Sequence, residues 1–330
     1  MTLALVILLL LALVIAASIG PYSVATSQIF QALGRAFSDD AITDPVDTVL
    51  FRIRFPRIVA AAFVGAALAC AGATYQTIFR NPLVSPDILG VSSGAGLGAV
   101  LGILLSLPVA GVQLMGFIGG LATVGVVVAM ASALKSQNET LVLVLAGIVI
   151  GTLASSGIAF IKVIADPYNE LPAITFWLLG SLTSVKSPDL AALIVPVLIG
   201  FAPLIALRWR IGVLSLGDDE ARSLGVNVGR LRLIVIVATT LMTASAVAIS
   251  GVIGWVGLMV PHMARFLVGP RYDRLLPASA LLGASFVIIV DTLARSIAEI
   301  EVPLGVLTAI TGAPVFVWLL VRGKKPWSGA

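Results

Sequence analysis

Charge is scarce in this chain. Only 11% of its 330 residues are Asp, Glu, Lys or Arg, where a soluble domain carries about a quarter. Cysteine and histidine occur once each. The lone Cys70 lies inside an apolar run, which excludes an internal disulfide framework. His262 has no cysteine or carboxylate companions at metal-site spacing, so no metal site is expected and transport of a bare metal ion is disfavoured. No G-x-x-x-x-G-K-[ST] occurs, and the glycine-rich SGAGLG at 93–98 lacks a preceding strand. The chain therefore shows no nucleotide site of its own.

What remains is apolar. Hydrophobic residues make up 59% of the sequence and the mean hydropathy is +1.12. Runs at about 1–19, 58–79, 91–109, 111–134, 140–164, 190–207, 233–253, 254–268, 275–298 and 303–321 approach or reach the roughly 20 residues that cross a bilayer. The expected fold class is an all-α polytopic membrane protein of about ten transmembrane helices, with 1–330 as one domain. The first run lacks the basic start of a signal peptide and reads as an uncleaved helix. LPAITFWLLGSL (171–182) is too short to span. It predicts a non-spanning helix, tolerated at membrane depth only inside protein or beside a wet cavity.

Ten spans with both termini in the cytoplasm place 13 of the 20 basic residues on the inner side, in keeping with the positive-inside rule. FRIRFPR (51–57) then stands out as a basic cluster on the outer side. Glycines at 90, 94, 98 and 102 keep one helix face smooth. That strip suits either tight helix packing or a groove for substrate.

SLGDDEARSLGVNVGR (215–230) interrupts the apolar pattern. Asp218 reads as a helix N-cap with Asp219 and Glu220 in the first turn. Gly225 suits the position after the helix, and Asn227 caps the next one. Two readings are open from the residues alone: a solvated loop, or a docking element with Leu216, Ala221 and Leu224 as its apolar face.

Several stretches carry a resemblance. LGDDEARSLG (216–225), FRNPLVSPDILGVSSGAG (79–96), RFPR (54–57), FWLLGSL (176–182), GLMVPHMARFLVG (257–269), LLPASALLGA (275–284), DTLAR (291–295) and PLGVLTAITGAPVFVWLL (303–320) occur in this order. Together they resemble the permease subunits of ABC importers for ferric siderophores, haem and vitamin B12. The resemblance implies a bacterial inner-membrane permease carrying an iron(III)-siderophore or related chelate, with haem, vitamin B12 or an oxyanion as alternative cargo. It implies a second permease subunit, identical or a sister chain, two cytoplasmic ATPases that hold the ATP and magnesium, and an outer substrate-binding protein. Membrane lipid is an expected partner and nucleic acid is not. This chain itself would bind no cofactor and catalyse no reaction.

The same resemblance implies roles for particular residues. The ATPase-coupling segment, about 213–230, comprises Leu216, Gly217, Asp218, Glu220, Ala221, Arg222, Leu224 and Gly225. Arg54, Arg57 and Arg295 would receive the binding protein, where the alternative is that they snorkel to the lipid interface. Ser136, Gln137, Asn138 and Thr140 would form the gate. Asp291 and Arg295, four residues apart, read as a structural ion pair. The rival reading makes Asp291 the coupling acid of an ion-driven secondary transporter. His262, beside Pro261, reads as a helix-end hydrogen bonder, with a metal or haem ligand as its alternative.

Overall fold

The computed structural model describes residues 1–20, 22–37, 44–134 and 139–322. Every regular element among them is helical. The first are α1 (Thr2–Ser18), α2 (Thr26–Phe37), α3 (Pro45–Thr48), α4 (Phe55–Ile78), α5 (Val91–Leu104) and α6 (Val109–Ala133). Next come α7 (Glu139–Ile164), α8 (Glu170–Leu179), α9 (Asp189–Ala206), α10 (Arg208–Leu214) and α11 (Asp218–Ser223). The last four are α12 (Val228–Ser250), α13 (Val256–Val268), α14 (Tyr272–Ala294) and α15 (Leu304–Arg322). Six helical stretches are long and apolar enough to cross a bilayer, and five shorter apolar helices accompany them. The stretch 171–182 forms the short α8, as its length required.

Two elements escaped the hydropathy pattern. α2, TSQIFQALGRAF, is amphipathic and only weakly apolar. The arginine-rich FRIRFPR is part of a continuous helical stretch rather than a loop, because Val49–Arg54 winds as a π-helix between α3 and α4. That join gives a 34-residue stretch from Pro45 to Ile78.

The core is built by α4, α12 and α14, whose apolar windows are 78%, 78% and 72% buried, while those of α6, α7 and α9 are 22–28% buried. Small residues permit this. A Cβ added at Gly65 would fall 2.1 Å from the Gly283 carbonyl oxygen of α14. One added at Gly72 would fall 1.8 Å from the Gly257 carbonyl oxygen of α13. No side chain fits at either crossing, so backbone meets backbone. The strip at 90, 94, 98 and 102 resolves the same way. Its glycines lie against residues 112–123 of α6 and, at Gly90, against Gly151 of α7. The strip is filled by neighbouring helices, which removes the substrate-groove reading.

The chain also breaks between α12 and α13. Gly251 at φ +67 ends α12 and Trp255 at φ +70 precedes α13. The break is satisfied by neighbours: the Ser181 amide donates to the Ser250 carbonyl at 2.8 Å, and the Leu304 amide donates to the Gly180 carbonyl at 2.9 Å. The turn after α8 thus ties α12 to the start of α15.

Candidate functional site

The side chains singled out in the sequence gather at the two ends of the bundle. At one end lie the N-terminal end of α4, the C-terminal ends of α1 and α14, and the strap 295–303 leading to α15. Here Arg57 is only 7% exposed. Its Nε donates to Asp291 Oδ1 at 2.8 Å and Oδ2 at 3.0 Å. Its Nη1 and Nη2 donate to the two Glu301 oxygens at 2.8 and 3.0 Å. Glu301 also accepts from the Thr183 hydroxyl in the turn after α8. One guanidinium therefore binds two carboxylates, one at the end of α14 and one on the strap.

Arg54 and Arg295, 3% and 7% exposed, are turned inward as well. Arg54 donates to the carbonyls of Ala17, Ser18 and Tyr22, and Arg295 donates to that of Ala16. Both close off the end of α1. The three arginines expected on the outer face are thus clustered at one end, with their guanidinium groups engaged inside the chain. Arg52 is the exposed basic side chain nearest in sequence. Asp291 and Arg295 meet at 3.7 Å, but Arg57 is the closer partner of Asp291, at 2.8 Å. Asp291 is 1% exposed and held by both arginines. The carboxylate is enclosed between two guanidinium groups.

Glu301 differs from Asp291 in exposure, its side chain being 37% accessible. Burial alone would raise its carboxyl. Hydrogen bonds from Arg57 and Thr183, with the charges of Arg57 and Arg295, outweigh that and hold it below the usual carboxylate range. A depressed folded pKa contributes stability above the unfolded value of about 4.5 and loses it as pH falls through the folded value. The attachment of the strap should therefore survive acidification past the ordinary glutamate range and release only below it. Hydrogen exchange across 296–303 measured against pH checks this. Release already near neutral pH would contradict it.

The opposite end carries α11. Its N-cap is Gly217, not the expected Asp218. The Asp218 carboxylate instead accepts from Arg232 Nη2 at 2.9 and 3.1 Å, tying α11 to the first turns of α12. Gly217 sits at φ +143, with the Glu220 carboxylate folded over it, 2.0 Å from where a Cβ would lie. Gly225 follows the helix at φ +79, where glycine suffers no steric penalty. Asn227 caps α12 as its sequence position suggested, accepting from the Arg230 amide at 3.0 Å.

The apolar face of α11 needs a correction. Leu216 and Leu224 are 62% and 53% exposed, but Ala221 is 0% exposed. Ala221 is the inward side of the element and only the leucines are free to meet another molecule. Arg222 is exposed and paired with Asp219 at 2.9 Å.

A cleft of about 480 Å³ lies beside α11, lined by Ile78, Phe79, Arg80, Thr140, Gly217, Asp218, Asp219 and Glu220. It brings the end of α4 and the start of α7 to the charged segment. Of the expected gate residues, Thr140 is therefore next to α11. Ser136, Gln137 and Asn138 lie outside the described residues.

Sequence reasoning passed over three hydroxyls on α7. Thr152, Ser155 and Ser156 are exposed on a helix whose other exposed positions include Ile148, Val149, Leu153 and Phe160. Each hydroxyl bonds a carbonyl one turn back, and Ser155 also donates to Ser93 of α5 at 3.3 Å. Their signal was present as three polar residues within one apolar run. His262 packs edge-on to Phe316, ring centroids 5.9 Å apart, and no group of metal-binding side chains occurs among the described residues.

Comparison with known proteins gives this arrangement a family. The family model for the FecCD transport family matches residues 8–322. The molybdate import system permease protein MolB of Haemophilus influenzae is 39% identical over 321 residues, 97% of this chain and 95% of that protein. The Fe(3+) dicitrate transport system permease protein FecD of Escherichia coli is 42% identical over 278 residues, 83% of this chain and 85% of that protein. A solved structure described as an inward-facing conformation of a metal-chelate type ABC transporter superposes with a TM-score of 0.87. It is 39% identical, and the match covers 97% of this chain and 98% of that one. This polytopic, all-helical chain belongs to the FecCD transport family and is an ABC-importer permease.

Proposed function

We propose that this permease moves an iron(III) chelate inward across a bacterial cytoplasmic membrane, driven by ATP hydrolysed on separate ATPase subunits. The end carrying α11 faces the cytoplasm and the Arg57 end faces outward, as the distribution of basic residues favours. One observation carries the reading. Two exposed leucines, Leu216 and Leu224, flank α11, while its charged side shares a cleft with the ends of α4 and α7. Such an element can receive a push from a partner and pass it to the helices at the inner mouth.

Within this reading, Leu216 and Leu224 enter a cleft on the ATPase, and the Asp218–Arg232 pair makes α11 move as one piece with α12. Gly217 and Gly225 supply its two corners, with Glu220 and Arg222 on its surface. The stretch from Ser136 to Thr140 closes the path. The hydroxyls of Thr152, Ser155 and Ser156 line it, since polar groups on a spanning helix mark a pathway. A wall of neutral hydroxyls accommodates a bulky chelate without holding it. Arg54, Arg57 and Arg295 form the positive base of the seat for an outer binding protein. The transporter is a dimer of permeases, and a homodimer is the simplest form.

The experiment truncates both leucines. Each leucine buried in a partner contributes about 1.5–3 kcal/mol. Leu216→Ala with Leu224→Ala should therefore weaken ATPase association by roughly tenfold or more and stop uptake while the permease stays folded. Unchanged association and uptake would remove the coupling role. The cargo is tested on the binding protein that supports uptake, by titrating it with ferric chelates and, because MolB is named for molybdate, with molybdate.

A further inference from the structure

The seat on Arg57 is already occupied, and its occupant is not fixed in the core. Asp291 reaches Arg57 from the end of a buried helix and is 1% exposed. Glu301 reaches it from the irregular strap 295–303, with a side chain 37% exposed. The start of the strap is held to α14, where the Ser296 and Ile297 amides donate to the Leu293 carbonyl at 3.0 Å and Arg295 is buried, but few contacts hold the rest. The Val302 amide donates to the Ala294 carbonyl at 3.1 Å, the Leu304 amide donates to Gly180, and Glu301 bonds Arg57 and Thr183. Of its apolar side chains, Val302 packs against the core, whereas Ile297 and Ile300 are 61% and 79% exposed.

Beside Glu301 lies a cavity of about 280 Å³, whose lining includes Phe176, Ser181, Thr183, Ile300 and Val302. The Glu301 side chain has room to turn away from Arg57 into that space. Doing so would free the Nη1 and Nη2 donors that Glu301 now holds, while Arg57 stays on Asp291 through Nε and Nη2. Arg54, Arg57 and Arg295 carry three positive charges against the two of Asp291 and Glu301, so the cluster accepts another carboxylate without net repulsion.

We propose that Glu301 is an internal stand-in for a carboxylate of the outer binding protein, and that docking exchanges the two on Arg57. The exchange frees the strap, and with it the start of α15 and the turn after α8. Docking is thereby converted into movement at the outer end. The inference rests on the reading of this end as the docking face and adds the competitor that must leave it. The groups facing Glu301 are Arg57 on α4, Thr183 after α8, and Arg295 with Asp291 at the end of α14. All of them favour its charged form except Asp291, which Arg57 separates from it.

The test uses the complete importer in nanodiscs and the binding protein that supports its uptake. Glu301→Gln removes the competing charge and leaves Arg57 and Asp291 in place. The variant should bind the binding protein roughly tenfold more tightly, because the competent state no longer has to be released first. A spin label on Ile300→Cys should gain mobility on docking in the otherwise wild-type importer, and should be mobile without docking when Glu301→Gln is present. Cys70 is buried and stays unlabelled.

Should Glu301→Gln fail to fold, Thr183→Val loosens the same carboxylate from its second partner and should tighten binding to a smaller extent. Equal or weaker binding by the variant, or a strap that stays immobile on docking, would overturn the exchange alone. Absence of binding by the wild-type importer would overturn the docking reading beneath it.

Discussion

Gly72→Val should yield almost no folded protein. A Cβ at position 72 would lie 1.8 Å from the carbonyl oxygen of Gly257 and 2.6 Å from its carbonyl carbon. Both obstacles are backbone, so no rotamer change relieves them and α4 must separate from α13. Overpacking a core typically costs about 1–3 kcal/mol, and a clash with rigid backbone in one of the two most buried spans belongs at or above the top of that range. Gly72→Ala should already lower the thermal midpoint, and valine adds two methyl groups to the same collision. Gly125→Ala is the control, since nothing lies within 4 Å of a Cβ there and alanine favours a helix by about 0.5–1 kcal/mol over glycine. Detergent-solubilised yield and thermal midpoint of the three variants read the effect. Equal yields for Gly72→Val and Gly125→Ala would refute the packing assignment.

Asp291→Ala should be nearly as damaging for an electrostatic reason. It removes the carboxylate that receives Arg57 through three contacts of 2.8–3.0 Å and meets Arg295 at 3.7 Å. Both guanidinium groups remain buried beside Arg54, with only Glu301 to compensate three positive charges. Breaking a buried pair by removing one partner costs about 3–5 kcal/mol, and here Arg295 loses its carboxylate while Arg57 keeps only Glu301. The companion variant distinguishes charge from packing. Asp291→Ala combined with Arg57→Met should be less destabilised than the sum of the single changes, because they share one interaction. Additive losses in thermal midpoint would show that the pair contributes no coupling.

The helical bundle was legible because its signal is local. Runs of apolar residues bounded by charge or proline gave most helices within a few residues, and the shortness of 171–182 identified α8. The Asn227 cap was readable because a capping residue and its helix are adjacent in sequence. α2 was not readable, since TSQIFQALGRAF is amphipathic and carries little of the hydropathy that marks its neighbours.

The site was only half legible, and the missing half is long-range. Asp291 and Arg295 are four residues apart, so their meeting could be expected. The tighter partner of Asp291 is Arg57, 234 positions away in sequence. Glu301 joins the same guanidinium from 244 positions away, by way of a strap with no periodicity to betray it. Asp218 illustrates a different limit. Its local role as a cap was plausible, but Arg232, about one turn into the next helix, offers a charge-assisted bond and wins the carboxylate. Ala221 fell on the wrong side for a similar reason, because six residues of helix fix a face only once the neighbouring helices are placed.

Uptake by the reconstituted importer tests the central claim most directly. The permease is placed in liposomes with its ATPase subunits, its binding protein and a labelled ferric chelate, and accumulation is followed with and without ATP and with ionophores present. Accumulation should require ATP and persist when proton and sodium gradients are collapsed. Accumulation that follows an imposed proton gradient and ignores ATP would contradict it.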